Sequence, residues 1–341
     1  MRKLVLASSA VMLVAGAAVA PPAHAAPASL AFATFNVCKT DCDAPAPGWD
    51  VRRERVARVI VESGADVIGL QEATWQPTAF AKTQLQDIAN LVAPQGYVQP
   101  TYTKSSQQCA WTAGDPHKCT HTSALFYRAS TVQPFATPSG DSAGVVNESM
   151  IAAGLDSDSA KREVAWAYLA PVGGGAPFLA ISAHTSTFKD PVHEAGRVTF
   201  AAALAGWSDS WNAQHGVPGT AVVLMADLNS YAMRQPNGAQ KMLEDSGWQD
   251  SAEAPDTRND DYSTINVNPL TGDNGWPAKP YKFNRKATRI DYVFARGPVT
   301  AVAYEVVMHV KPDGSFDPNY QASDHQMVRA VLTLGGAEAG E

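Results

Sequence analysis

Residues 221–230 read AVVLMADLNS. Five apolar residues, Ala221 to Met225, with Ala226 behind them, run into Asp227 and, two positions on, Asn229. A short apolar run rich in β-branched residues reads as a strand buried on both faces. While the chain stays extended, Asp227 and Asn229 point to the same side. A carboxylate beside a carboxamide at the mouth of a buried strand needs partners, either turn backbone or a metal, a water or a substrate. One Asp-x-Asn does not choose among these.

Other apolar runs end in the same way. FATFN ends at Asn36, VIGLQE at Glu72 and LAISAH at His184. RIDYVF carries Asp291 near its start, and ASDHQMV places Asp324 and His325 just ahead of the last run. Singly, each has a bland explanation: a Glu after a strand is usually solvated, and a His there usually packs with a hydrogen bond. Jointly they make sense if the strand ends converge on one site. The set offers oxygen donors and imidazoles, without a thiol or a serine-nucleophile motif. Such donors suit Mg²⁺, with Mn²⁺ or Ca²⁺ as substitutes. Imidazoles and spare carboxylates supply proton transfer and hydrogen bonds to an anion. Water attack on a phosphate ester uses all of these, and its barrier must fall by well over ~15 kcal/mol.

These residues need a scaffold of strands. LAFATFNV, ADVIGLQE, SALFYR, EVAWAYLAPV, FLAISAHTS, AVVLMADLN, RIDYVFA and HQMVRAVLTL each have the length and composition of one. Helical patterns lie between them. DVRRERVARVIVESG puts Val56, Val59 and Ile60 on one face and ends at Gly64. HEAGRVTFAAALAGWSDSWNA spaces Phe200, Leu204 and Trp207 helically, and AQKMLEDSG is a shorter helix. Alternating strands and helices, with no repeat and no Pro/Gly/Ser-rich linker, predict α/β packing in a single domain. The polar stretch 256–288 reads as loop.

The first 25 residues carry Arg2 and Lys3, an apolar core and Ala23-His24-Ala25, the pattern of a cleaved secretory leader. Cleavage after Ala25 leaves 316 of the 341 residues, with residues 26–334 as the domain and 335–341 as a flexible tail. The leader takes two basic residues and no acid, so the formal charge of −7 becomes −9. An acidic surface argues against non-specific binding to nucleic acid or anionic membrane, although a local basic groove or a bound cation can still handle phosphate. The protein is expected to be exported, without a stable membrane anchor, and monomeric. In an oxidising compartment its four cysteines read as disulfides, with proximity favouring Cys38–Cys42 and Cys109–Cys119. A zinc site is the alternative, but the spacings do not match C-x2-C.

With its motifs in order, the mature chain resembles the DNase I-like endonuclease/exonuclease/phosphatase superfamily. FATFN, GLQE, SALFYR, KREVAWAYL, ISAHTS, MADLNS, RIDYVF and SDHQMV carry the resemblance, the last three most specifically. It implies a four-layered α/β sandwich, two mixed β-sheets face to face with flanking helices and the active site at one edge. It also implies roles. Glu72 would be the principal metal carboxylate, with Asn36 and Asp324 completing the coordination. Asp227 and Asn229 would orient the attacking water and contact the phosphate. His325 would be the acid/base imidazole held by Asp291, and His184 would donate to a phosphate oxygen. Arg162 in KREVAW would contact phosphate; its alternative is a surface salt bridge.

Departures from the family narrow the substrate. AP endonucleases carry an acid two residues after the first-motif Asn; Cys38 stands there, which counts against abasic-site repair. The aromatic membrane-entering hairpin of bacterial sphingomyelinases has no clear counterpart, although Trp276, Tyr281 and Phe283 occur together. Lys279, Lys282, Arg285, Lys286 and Arg289 interleave with those aromatics, a composition suited to a polyanion with bases to stack, or to a solvated loop. The sequence therefore points to an exported, divalent-metal-dependent phosphodiesterase, a nuclease cutting DNA or RNA. A sphingomyelinase-like lipid or small-molecule phosphoesterase is the runner-up. A binding module without turnover is the rival class, and it would have no need of both His184 and His325.

Overall fold

The computed structural model describes residues 28–42, 48–102, 104–105, 123–231, 238–265 and 289–335. Residues 1–25, read as a leader, Cys109 and Cys119, the basic-aromatic stretch 276–286 and residues 336–341, read with Gly335 as a tail, lie outside them. Along the chain run β1 (Ala28–Asn36), α1 (Trp49–Glu62), β2 (Val67–Gln71), α2 (Gln84–Val92), β3 (Tyr97–Val98), β4 (Lys104–Ser105) and β5 (Ser123–Arg128). Next come β6 (Val132–Pro134), β7 (Ala143–Asn147), α3 (Glu148–Ile151), β8 (Glu163–Pro171), β9 (Phe178–His184) and α4 (Pro191–His215). The rest are β10 (Ala221–Asp227), α5 (Ala239–Asp245), β11 (Gln249–Asp250), β12 (Asp256–Arg258), β13 (Asp291–Arg296), β14 (Val299–Val306) and β15 (Val328–Leu334).

The strands form two mixed sheets, one in the order β12-β14-β15-β1-β2-β5-β3 and one in the order β11-β13-β10-β9-β8-β7-β4, with β6 also on β8. Their apolar runs are continuous because both faces are covered. On β10, Val223 and Met225 face the first sheet, while Val222, Leu224 and Ala226 face Phe200 and Leu204 of α4. On β1, Phe32 turns inward, and Ala33 and Phe35 pack under Val56 and Ile60 of α1. Full burial of each such Phe or Leu contributes about 1.5–3 kcal/mol. The result is the expected four-layered sandwich, with α1 and α2 on one outer face and α4 and α5 on the other.

Two features set the distance between the sheets at the site end. Gly69 on β2 leaves room for the opposite sheet: a Cβ there would lie 2.6 Å from Met225 Cβ. One pleat step along the same strand, Gln71 crosses the gap, its amide donating to Ser182 Oγ (3.2 Å) and the Met225 carbonyl (3.3 Å) while its oxygen accepts from Thr34. Ser182 answers by donating to the Leu70 carbonyl.

The expected helices are present, and Gly64 stands at φ +64° just beyond α1. Besides β3, β4, β6, β7, β11 and α3, three elements were not anticipated. α2 begins at a Thr83 cap that accepts from the Gln86 amide, and buries Leu85, Ile88 and Val92 at helical spacing. β14 alternates Ala301, Tyr304 and Val306 inward, but a register shift between Ala301 and Ala303 interrupts its period. Part of the stretch read as loop is ordered: β12 pairs with β14, and Ile265 bridges His325. Among the described residues, no helix is long and apolar enough to cross a membrane.

Candidate active site

Strand register brings the polar ends together. Asp227 pairs with His184 on one side and Asp291 on the other, so β9, β10 and β13 present these three in a row. In the first sheet Asn36 pairs with Gln71, which puts Glu72 one residue beyond that row. Asp324 and His325 lie on the approach to β15. Asn36 joins the two sheets, its amide donating to Asp227 Oδ2 (2.9 Å) and Glu72 Oε1 (3.3 Å).

The Asp-x-Asn motif proves to do two jobs. β10 ends at Asp227, and Asn229 is not extended but left-handed, at φ +46°. Asp227 Oδ1 caps this turn by accepting from the Asn229 amide (2.9 Å), and the Asn229 side chain donates to the Thr185 carbonyl (3.1 Å). Asp227 Oδ2 is thereby aimed into the site, with His184 Nε2 at 3.4 Å and His325 Nε2 at 3.8 Å. The turn-backbone reading and the site reading belong to different oxygens of one carboxylate.

His325 leans on Asp291, its Nδ1 lying 2.9 Å from Oδ2 and 3.2 Å from Oδ1. Asp291 is in turn fixed by its own backbone amide, which with that of Ile290 donates to Thr264 Oγ1. Ser323 Oγ donates to the Asn36 carbonyl and accepts from the His325 amide. Burial alone would push the imidazolium down, but the charges of Asp291, Asp324 and Asp227 outweigh it and hold its pKa well above that of an ordinary histidine. Asp227 is raised as well: burial, then the charge of Asp291, pushes it up to about 7.

Glu72 stands at φ +55°, which turns it out of β2. Its Oε1 accepts from Asn36 and its Oε2 from the Lys39 amide (3.1 Å). Burial and the charge of Asp324 raise its pKa. Asn36 Oδ1 accepts from the Cys38 amide (2.9 Å). Behind this corner lies Arg52 of α1, fully buried, donating to the carbonyls of Val37, Cys38, Lys39 and Ala322. Burial lowers its pKa to about 10 despite the charges of Asp324 and Glu72.

The donor set fits a hard divalent cation. The pKa values of Glu72 and Asp227 are both raised, first by burial and then by a neighbouring acid, Asp324 beside Glu72 and Asp291 beside Asp227. Asp227, Asp291 and His325 also offer ligand atoms within 4.8 Å of one another.

Arg162 precedes β8 and is fully buried rather than at the surface. It donates to Asp158 Oδ2 (3.1 Å) and to the His184 carbonyl (3.3 Å), and its Nη2 has no hydrogen-bond partner. Arg289, counted with the polyanion-suited stretch, is corrected: it makes a buried pair with Asp250 and packs on the rings of Tyr292 and Tyr304. The Cys38–Cys42 disulfide is present. Arg52, Gln71, Thr264 and Ser323 escaped the sequence reading. Only Arg52 left a signal, a basic residue four before Val56 on the apolar face of α1.

Residues 33–325 match the Endonuclease/Exonuclease/phosphatase family. Among solved structures, an endonuclease/exonuclease/phosphatase from Bacteroides vulgatus is 19% identical, with a TM-score of 0.61 over 90% of this chain and 99% of that one. A mannosyl-6-phosphatase of Bacteroides thetaiotaomicron VPI-5482 is 17% identical, with a TM-score of 0.59 over 89% and 99% of the two chains. D. rerio TDP2, complexed with single-strand DNA product, is 14% identical, with a TM-score of 0.55 over 89% and 98%. No curated protein matches the sequence. At these identities the structural likeness speaks for the fold, and the match along the sequence speaks for the lineage: the chain belongs to the Endonuclease/Exonuclease/phosphatase family, whose members hydrolyse phosphoester bonds.

Proposed function

We propose that this chain is an exported phosphodiesterase, a nuclease acting on extracellular DNA or RNA with a divalent cation. One observation carries the reading: the buried Asp227 carboxylate faces two imidazoles, one of them held charged by Asp291. Asp227, with a pKa near 7, is suited to take a proton from an attacking water. His325, kept as imidazolium, acts as donor, passing a proton or hydrogen bond to oxygen on which charge builds. His184 adds a second donor to the phosphoryl oxygens, and Arg162 braces it through its carbonyl. Glu72, Asp324 and Asn36 would hold the cation, which neutralises phosphoryl charge when bound. The leader-like N-terminus, the interleaved basic and aromatic residues at 276–286 and the likeness to a DNA-bound structure support export and a nucleic acid substrate.

The test is to incubate the mature protein and Mg²⁺ with plasmid DNA, RNA, sphingomyelin and a generic phosphodiester, with and without EDTA. Nucleic acid should be cut, EDTA should abolish cutting, and Mg²⁺ or Mn²⁺ should restore it. Cleavage of sphingomyelin alone would transfer the enzyme to lipid substrates, and no turnover on any of the four would favour a binding module. Indifference to chelation, or recovery with Zn²⁺ alone, would refute the hard-cation site.

The pKa directions predict how the cation acts on stability. Asp227 binds its proton more tightly folded than unfolded, so its contribution is fully present below about pH 4 and is lost as the pH rises through about 7. His325, also raised, contributes below about pH 6.5 and loses that contribution above it. A cation substitutes for the missing protons, and at a hundredfold excess over its Kd it adds about 2.7 kcal/mol. Calorimetry should therefore show a larger Mg²⁺-induced rise in Tm at pH 8 than at pH 5. An equal or larger rise at pH 5 would place the ion elsewhere.

A further inference from the structure

The segment 38–42 does more than close a loop beside the site. Lys39 presents its backbone amide to Glu72 Oε2 at 3.1 Å, and Cys38 presents its amide to Asn36 Oδ1 at 2.9 Å. The direction of the Lys39 amide depends on Cys38 standing at φ +54°, a conformation that a residue with a Cβ adopts unwillingly. The carbonyls of the same segment are gripped from behind. Arg52 takes those of Cys38 and Lys39, and Gln84 takes that of Cys38 at 2.9 Å. Beyond Lys39 the chain is held by Thr40, which donates to Gln76, and by the bond from Cys38 to Cys42. The disulfide lies beside Asp324, since Cys38, Cys42 and Asp324 present atoms within 4.8 Å of one another.

We propose that the Cys38–Cys42 disulfide is a positioning element for cation binding: it holds the Lys39 amide on Glu72, so cation affinity depends on the redox state of this pair. The proposal rests on the reading of Glu72, Asn36 and Asp324 as the cation site. Reduction takes two electrons and two protons from an external dithiol. One of its thiolates attacks a cysteine sulfur, its second thiol closes a ring, and Cys38 and Cys42 are left as thiols. Cys42 is then released, Cys38 can leave the left-handed region, and Glu72 loses a donor that fixes the orientation of its carboxylate. Partners of this kind, one bond removed from a metal, typically govern its affinity by about 10- to 100-fold.

The experiment titrates Mn²⁺ into the protein and follows the free ion by electron paramagnetic resonance, a readout that needs no substrate. The samples are the oxidised protein, the same protein reduced with dithiothreitol and freed of it under argon, and Cys38→Ser/Cys42→Ser. Hydrogen exchange at the Lys39 amide is measured on each. The expected result is a Kd at least about tenfold weaker in both altered samples, with faster Lys39 exchange. Dithiothreitol should add nothing to the double variant, which separates this pair from Cys109 and Cys119. An unchanged Kd after reduction would overturn the proposal and leave the cation site standing. Absence of Mn²⁺ binding in the oxidised protein would overturn both. If the double variant does not fold, reduction of Cys109→Ser/Cys119→Ser decides, since only the Cys38–Cys42 pair is left in it to respond.

Discussion

Asp227→Asn should lower turnover by about 10²–10⁴-fold while leaving the fold at least as stable. Asparagine keeps the shape of the side chain and can still accept from the Asn229 amide, so the turn beyond β10 survives. The other side changes sign. The atom that accepted from Asn36 and faced His184 and His325 becomes an amide nitrogen, a donor among donors and no acceptor for a proton from water. The substitution also removes a buried carboxylate whose ionisation is opposed by burial and by Asp291. Metal-free Tm at pH 8 should therefore hold or rise as kcat collapses. A fall in both together would make Asp227 a structural residue, and near-parental turnover would remove it from the chemistry.

The second large effect concerns the imidazoles. His325→Ala should cost roughly 10²–10³ in rate, the scale of a lost donor to transition-state charge, and Asp291→Asn should damage the same function. Asp291 orients Nδ1 of His325 and supplies the first of the charges that keep the ring protonated. Without the ring, the carboxylate has little left to do. The combined loss should fall well short of the product of the single losses. His184→Ala should be comparably severe but independent of Asp291, because His184 contacts Asp227 and Glu72 instead. A double-mutant cycle on cleavage rates measures the coupling. If Asp291 couples to His184 and not to His325, the two imidazoles exchange roles.

The convergence of the site was legible in the sequence because each strand end writes its own polar residue after an apolar run. Asn36, Glu72, His184 and Asp227 could be picked out by that contrast alone, without any knowledge of pairing. Register was not legible: nothing in RIDYVF says that Asp291 lies opposite Asp227 rather than one pleat away. Nor were the supporting residues. Thr264 and Ser323 are ordinary loop residues by type, and their work depends on a neighbour 26 or 287 positions distant. Asn229 was misjudged in conformation because the two-residue period holds only while the strand lasts. Arg289 was misjudged because basic residues beside aromatics look alike whether they await a polyanion or close a core around Asp250.

The bridge from Gln71 to Ser182 and Met225 has a further consequence. One leaf of the sandwich carries Asn36, Glu72, Asp324 and His325, and the other carries His184, Asp227 and Asp291. Neither leaf alone can hold an ion and ready a water. Catalytic competence is therefore a property of the seam, acquired only when the two leaves lock at the right offset. A collapsed chain with both sheets formed but still sliding has no active site. If the chain is exported unfolded, as the proposed export would have it, it carries no assembled site toward its own cell's nucleic acid until the two sheets pack.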